Sequence, residues 1–263
     1  MSVSRFAPSP TGRLHLGHAY SAVVGRAAGE QFLLRIEDLD AGRCKPAYID
    51  GILEDLRWLG IAWDGEPVIQ SQRTAAYAAA LDDLRARGLI YPCYCTRADI
   101  AAALSAPHGE SAYYPGTCRD LADDPARRAG MAHSWRLDGA KAVELAGSDS
   151  LVDDVILARK DAPAAYHLAC VVDDAASGVT LVVRGADLLG STPVQKLLQR
   201  LLGLPEPDYL HHPLVAHADG RRLAKRDLAP TLAAMRAAGV DGPGLAAQLA
   251  AGRLPLGFAF ISA

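Results

Sequence analysis

Five cysteines are few for a chain of 263 residues, and the number is odd. Cys93, Cys95 and Cys118 crowd one stretch, while Cys44 and Cys170 stand apart. That is not the framework that staples small secreted domains. No uninterrupted apolar run reaches the roughly 18 residues of a membrane span. Arg5, Pro8, Pro10 and Arg13 occupy the place where a secretion signal would need apolar residues. A cytoplasmic protein is expected. A surplus of positive charge is missing as well: the formal net charge is −3, so no global field draws nucleic acid, although local basic patches can still do so. There is no internal repeat and no low-complexity tail. What remains, with half the residues apolar and 22% charged, is the balance of an ordinary globular chain, long enough for one large domain or two modest ones.

Residues Ser4 to Pro8 read as a short strand, and Ser9, Pro10, Thr11 and Gly12 as the turn that ends it. Leu16, Ala19, Ala22, Val23 and Ala27 then recur at helical spacing until Gly29. Phe32 to Ile36 is a compact apolar strand, so the order predicts a parallel βαβ unit. Further helices are expected over 47–59, 73–87 and 194–202. Tyr166 to Val172 and Val179 to Val183 read as strands buried on both faces. Between Pro92 and Gly147 the regularity fades among Pro107, Gly109, Pro115, Gly116 and Pro125, which marks an insertion. After Pro213 come a basic cluster and two alanine-rich helical stretches, split by Gly242, Pro243 and Gly244. The expected organisation is an α/β domain made from 1–88 and 160–208, an insertion over 89–159, and a loop-and-helix segment over 209–263.

Several constellations carry chemistry. His15-Leu16-Gly17-His18 opens the first helix, where N–H groups and a partial positive charge favour phosphate. Gly17 lets a nucleotide approach the backbone, and two histidines three apart share a helical face. Arg35-Ile36-Glu37-Asp38-Leu39-Asp40 follows the second strand, at the carboxyl end where ligands of parallel sheets bind. Asp38 and Asp40 read more simply as acids capping the next helix. Arg184, at a strand end, offers a planar fork for a carboxylate, or an ion pair with Asp187. Arg221-Arg222-Leu223-Ala224-Lys225-Arg226 is a basic loop. Three cysteines within 26 residues suggest zinc held by sulfur. His108 is the orthodox fourth ligand by chemistry.

The segment from Arg5 to Gly12, followed by HLGH, resembles the class I aminoacyl-tRNA synthetases of the glutamyl and glutaminyl group, with HLGH as their HIGH signature. The order HLGH, RIEDLD, cysteine insertion, YHLACVVDD, VVRGADLL and basic loop is similar to the short paralogues of glutamyl-tRNA synthetase that modify queuosine in tRNA(Asp). The resemblance implies an α/β fold with a Rossmann-like parallel sheet, a small zinc-containing insertion and a C-terminal helical segment. It places Arg5, Ala7, Ser9, Glu37, Tyr166 and Arg184 around glutamate. The two carboxylates and one ammonium of that substrate match Arg5, Arg184 and Glu37 in ratio, without saying which arginine takes which carboxylate. His15, Gly17, His18 and Lys225 would bind ATP, with His15, His18 and Lys225 acting in catalysis. Lys225 matches the second lysine of the family's KMSKS loop; Arg222 replaces the first, and Ala224 removes the serine hydroxyl. A tyrosine four residues before the last cysteine completes the zinc site in these relatives, which points to Tyr114.

The activity implied is ATP-dependent ligation with Mg²⁺ on the nucleotide. L-Glutamate becomes glutamyl-adenylate without tRNA, and the glutamyl group then passes to queuosine in the anticodon of tRNA(Asp). Ordinary family members continue into an anticodon-binding domain, whereas this chain ends at Ala263, so that domain is expected to be lacking and a monomer is expected to act. The rival readings are a shortened glutamyl-tRNA synthetase charging a tRNA 3′ end, and an inactive synthetase-like module that binds RNA. The intact HLGH, Glu37, Arg184 and Lys225 argue against the latter.

Overall fold

The first strand, β1 (Val3–Phe6), has all four of its residues buried. It does so because its neighbours close both faces. In the computed structural model, which describes residues 1–104, 114–121, 124–148, 152–223 and 230–262, the chain forms two compact units. The first is made of 1–72, 177–190 and 207–263, and the second of 73–176 and 191–206.

In chain order the first unit begins with β1, α1 (Leu16–Ala28), β2 (Gln31–Ile36), α2 (Pro46–Trp58) and β3 (Val68–Ile69). The second unit then supplies α3 (Thr74–Ala86), β4 (Ile90–Cys93), α4 (Arg97–Leu104), α5 (Pro125–Gly130), β5 (Ser134–Leu137), α6 (Gly139–Ala146), β6 (Ile156–Ala158) and α7 (Tyr166–Ala176). The chain returns to the first unit for β7 (Leu181–Gly185) and gives α8 (Thr192–Leu201) to the second. It ends in the first with β8 (Asp208–His212), β9 (Leu214–His217), α9 (Leu232–Ala237), α10 (Gly242–Ala250) and β10 (Phe258–Ile261).

The predicted βαβ unit is present. β1 pairs with β2 in parallel, Val3 opposite Gln31 and Phe6 opposite Leu34, and β2 pairs in parallel with β3. β7 and β8 form another parallel pair. It joins β1 where the Thr180 N–H donates to the Val3 carbonyl at 3.0 Å and the Val3 N–H to Thr180 Oγ1 at 2.9 Å. These strands therefore end at one edge, where parallel sheets expose their ligand sites. The core beneath combines Leu16 and Ala19 of α1, Phe32, Leu34 and Ile36 of β2, and Ile52 and Leu56 of α2. Each large side chain removed from water there contributes about 1.5–3 kcal/mol. Leu232, Leu245 and Leu249 bring the C-terminal helices onto the same core.

Two readings of the sequence are corrected. Tyr166 to Val172 is not a strand but the start of α7. Leu168, Ala169, Cys170, Val171, Asp173 and Asp174 are all buried, so apolar residues do not leave one face for solvent. A helix covered on most sides gives the same continuous apolar run as a doubly buried strand. The acids at its end are buried as partners: Asp173 accepts from Arg73 Nε at 2.5 Å and from the Tyr77 hydroxyl at 2.8 Å. The Gly242-Pro243-Gly244 stretch does not merely separate two helices but starts α10, with Asp241 as cap accepting from the Gly244 N–H at 3.2 Å. A side chain at position 242 would run into the Trp58 carbonyl, so the close seat of α10 needs glycine. The remaining predicted helices match α2, α3 and α8 to within a few residues.

The second unit is built around an antiparallel sheet, β4–β5–β6, with Cys93 opposite Ser134. Among the described residues no helix is long and apolar enough to cross a membrane.

Candidate functional site

The carboxyl edge of the first unit's strands gathers most of the polar residues singled out in the sequence. Arg5 lies in β1 and is buried, with Ala7 and Ser9 just beyond the strand. Ser9 accepts the Thr11 N–H at 2.8 Å, which makes the expected turn. The Glu37 N–H donates to the Pro8 carbonyl at 3.1 Å, so the loops after β1 and β2 are laced together. Glu37 also pairs with Arg35 at 3.0 Å, an ion pair largely out of water. The next two acids do not cap α2. Asp38 accepts from the Ser71 N–H and hydroxyl at 2.8 and 2.6 Å, and Asp40 folds back on Arg43 at 2.7 Å. The N-cap of α2 is Lys45, which makes no side-chain cap bond.

His15 and His18 form a reciprocal cap at the start of α1. His15 Nδ1 accepts from the Gly17 N–H, and His18 Nδ1 accepts from the His15 N–H, both at 3.1 Å. The ring centroids are 3.8 Å apart. Since each Nδ1 is an acceptor, each neutral ring carries its proton on Nε2. The N–H groups of His18 and Ala19 are turned to the His15 carbonyl. An anion at this end would therefore meet imidazole N–H edges and not these helix amides. A Cβ at Gly17 would stand 3.1 Å from His15 Cε1, so a side chain there would press on the capping ring. Leu223 of the basic loop borders the same spot, whereas Ala224 and Lys225 lie outside the described residues.

Arg184 lies one residue before the end of β7 and is buried. Its Nε–H donates to His211 Nε2 at 3.2 Å, and its guanidinium lies 5.0 Å from the Tyr209 ring centroid. Both partners come from β8, where Arg184 and His211 are in register. Burial first, then the Arg184 charge, holds the His211 pKa below the usual imidazole range. The sequence reading missed His211. Its signal was an alternation, Tyr209-x-His211, in a strand next to the arginine's own. Tyr166 opens α7 in the second unit.

The second unit brings three cysteines and a tyrosine to one point. The Cys93, Cys95 and Cys118 sulfurs lie within 4.8 Å of one another. Tyr114 Oη is 3.3 Å from both Cys93 Sγ and Cys95 Sγ, and it accepts the Cys118 N–H at 3.2 Å. Cys95 Sγ and Cys118 Sγ are 3.6 Å apart. A tetrahedral zinc with Zn–S bonds of about 2.3 Å needs sulfurs about 3.8 Å apart. The donor set and its spacing thus fit one such ion. Burial raises the Cys95 thiol to about 11 and pushes the Tyr114 phenol up as well. Burial would also raise Cys118, but hydrogen bonds from the Tyr94 backbone, Tyr114 and the other thiols outweigh it and lower that group. The surroundings are polar. The Arg136 guanidinium lies 3.8 Å from the Tyr114 ring centroid, and Lys160 Nζ donates to the Tyr94 and Cys95 carbonyls at 2.8 and 3.2 Å. His108, the other candidate ligand, lies outside the described residues.

Residues 2–254 match the family model of the catalytic domain of class I tRNA synthetases (E and Q). A glutamyl-Q tRNA(Asp) synthetase of Nocardia farcinica is 53% identical over 249 residues, covering 89% of this chain and 79% of that protein. One of Rhodobacter capsulatus is 45% identical over 267 residues, 91% of this chain and 96% of the relative. Among solved structures, a glutamate tRNA ligase from Elizabethkingia meningosepticum in complex with its amino acid is similar with a TM-score of 0.70 at 26% identity. That similarity covers 86% of this chain and 52% of the ligase, so this chain spans about half its length.

Proposed function

Because the chain belongs to the class I tRNA synthetases of the E and Q group, and within it to the glutamyl-Q tRNA(Asp) synthetases, we propose that it activates L-glutamate with ATP and transfers the glutamyl group to queuosine in the anticodon of tRNA(Asp). The observation that carries the first half is the set of opposite charges at one sheet edge. Buried Arg5 and Arg184 each lie one residue before the end of their strand, β1 and β7, and Glu37 follows β2. Glutamate offers two carboxylates and one ammonium to that set. Ala7 and Ser9 would shape the loop over the amino acid.

In this reading the α-carboxylate of glutamate attacks the α-phosphorus of ATP. The bond to the bridging oxygen breaks, pyrophosphate leaves, and glutamyl-adenylate forms. No protein nucleophile is required. The task of the chain is to hold the two reactants in line and to meet charge as it grows on the phosphoryl oxygens. His15 and His18 suit that task, since their mutual cap leaves the Nε2–H tautomer in each neutral ring. Removing one such donor costs about 10²–10³ in rate at comparable sites. Gly17 would admit the nucleotide, and Lys225 would steady its phosphates. Mg²⁺ on the nucleotide would offset phosphate charge.

Cys93, Cys95, Cys118 and Tyr114 are proposed to hold one zinc ion with a structural role, because four protein ligands fill a tetrahedral shell. The name of the Nocardia farcinica and Rhodobacter capsulatus relatives, glutamyl-Q tRNA(Asp) synthetase, supports queuosine in tRNA(Asp) as the acceptor. The test has two stages. Glutamate-dependent ATP–pyrophosphate exchange is measured with the protein alone, and activity is expected without tRNA. Labelled glutamate is then offered with tRNA(Asp) containing or lacking queuosine, and with tRNA(Glu). Transfer is expected only to the queuosine-containing tRNA(Asp). Charging of tRNA(Glu) instead would favour the shortened 3′-end synthetase, and exchange that needs tRNA would refute the first half.

A further inference from the structure

Arg184 is a buried cation whose direction decides what it can grip. Its Nε–H is directed at His211 Nε2, 3.2 Å away, and Tyr209 lies along the same guanidinium with its ring centroid at 5.0 Å. An arginine never surrenders its proton in a protein, so His211 Nε2 must be the acceptor and the imidazole must be neutral. Tyr209 and His211 lie two apart on β8, hence on one face, with rings 7° from parallel. The strand pairing that places His211 beside Arg184 also holds this pair of rings against it. We infer that His211 is a positioning residue for the amino-acid substrate: a neutral acceptor that fixes the plane of Arg184 and directs its Nη edge to the substrate carboxylate.

The neutrality of the acceptor matters. An aspartate or glutamate at position 211 could hold the guanidinium equally well. It would, however, set a negative charge against Arg184 and compete with the carboxylate that Arg184 has to attract. Histidine orients without opposing charge. The surrounding groups preserve that state, since burial, Arg184 and the neighbouring His212 all lower its pKa. The inference rests on the reading of Arg184 as a carboxylate-binding residue.

The experiment compares His211→Gln, His211→Leu, His211→Glu and Arg184→Ala in glutamate-dependent ATP–pyrophosphate exchange, with thermal unfolding of each variant beside it. Glutamine keeps a neutral acceptor and should leave the KM for glutamate within about threefold of the original, the scale of a retained hydrogen bond. Leucine should raise that KM about tenfold or more while moving the KM for ATP less than twofold. Glutamate at 211 should raise it at least as far as leucine, although it restores an acceptor. A folded leucine variant with an unchanged KM for glutamate would overturn the inference. So would a rise shared equally by glutamate and ATP, or a glutamate variant as active as the glutamine one. If the leucine variant unfolds, the Gln–Glu comparison decides alone. If Arg184→Ala is as active as the parent, the carboxylate role of Arg184 falls and this inference with it. If the parent shows no glutamate-dependent exchange, the proposed function itself fails, and the Arg184 control separates the two cases.

Discussion

Replacing Tyr114 by phenylalanine removes one oxygen and nothing else, so its effect can be worked through in advance. Structural zinc sites of four ligands contribute about 10–16 kcal/mol near neutral pH, or about 2.5–4 kcal/mol per ligand if shared evenly. The phenol should fall below an even share, because burial pushes its pKa above the ordinary tyrosine value and the ion must displace that proton. A second effect works without metal. Tyr114 Oη accepts the Cys118 N–H at 3.2 Å, and the phenyl ring would leave that buried donor unpaired at about 1–3 kcal/mol. This second cost falls on the metal-free and the metal-loaded protein alike, so it shows in stability and cancels in affinity. The metal affinity should then weaken by about 10–100-fold, the equivalent of about 1.4–2.8 kcal/mol. Competition against a chromophoric chelator measures it. Because Tyr114 and Cys95 both sit above their ordinary values, zinc binding releases protons and tightens as pH rises. The phenylalanine variant should release about one proton fewer and show a correspondingly shallower slope. Cys95→Ser should lose the ion altogether. Protein purified without chelator that contains no zinc by elemental analysis would end this reasoning. Should Tyr114→Phe keep the full affinity and slope while His108→Ala loosens the ion, the site would stand with a different fourth ligand.

The glutamate site makes a sharper demand on chemistry. Arg184→Ala should abolish detectable glutamate-dependent exchange, and glutamine should be a poorer substrate than glutamate by at least tenfold, since an arginine facing a neutral amide forfeits about 1.5–3 kcal/mol of charge-assisted bonding; equal kcat/KM for the two amino acids would mean that neither Arg5 nor Arg184 reads the side chain. In the core, Leu56 is fully buried, and Leu56→Ala should lower stability to urea by about 2–5 kcal/mol. A loss under 1 kcal/mol would mean that α2 is not held as described. In the second unit, Asp173→Ala removes the acceptor shared by the Tyr77 hydroxyl and Arg73, whose side chain is 29% exposed. Unfolding should be easier by about 2–4 kcal/mol, less than for a fully buried pair because Arg73 retains some water; an unchanged midpoint would show that the pair contributes nothing net.

The sequence disclosed most where one residue's neighbours in the chain are also its neighbours in space. β1, α1 and β2 were legible because an apolar run, a turn and a helical period follow one another within the first forty residues, and the parallel pairing of β1 with β2 bears that order out. The cysteine cluster was legible for a similar reason, since Cys93 and Cys95 leave one strand end together and Cys118 lies in the same stretch of sequence. Legibility failed where burial hides periodicity. α7 is covered so fully that even Asp173 faces protein, and a run without a polar stripe cannot distinguish period 3.6 from period 2. It failed again where the partner of a residue comes from a distant segment. Nothing near Arg184 in the chain names His211, because the tie exists only through the register of β7 with β8. Asp38 was misread for the same cause: its partner Ser71 is 33 residues away, while the helix it was expected to cap is close in sequence but has Lys45 at its N-cap position, with no side-chain cap bond. Motifs reveal which side chains can meet a substrate. The residues that aim those side chains are spread along other strands, and their part becomes visible only once the strand register is known.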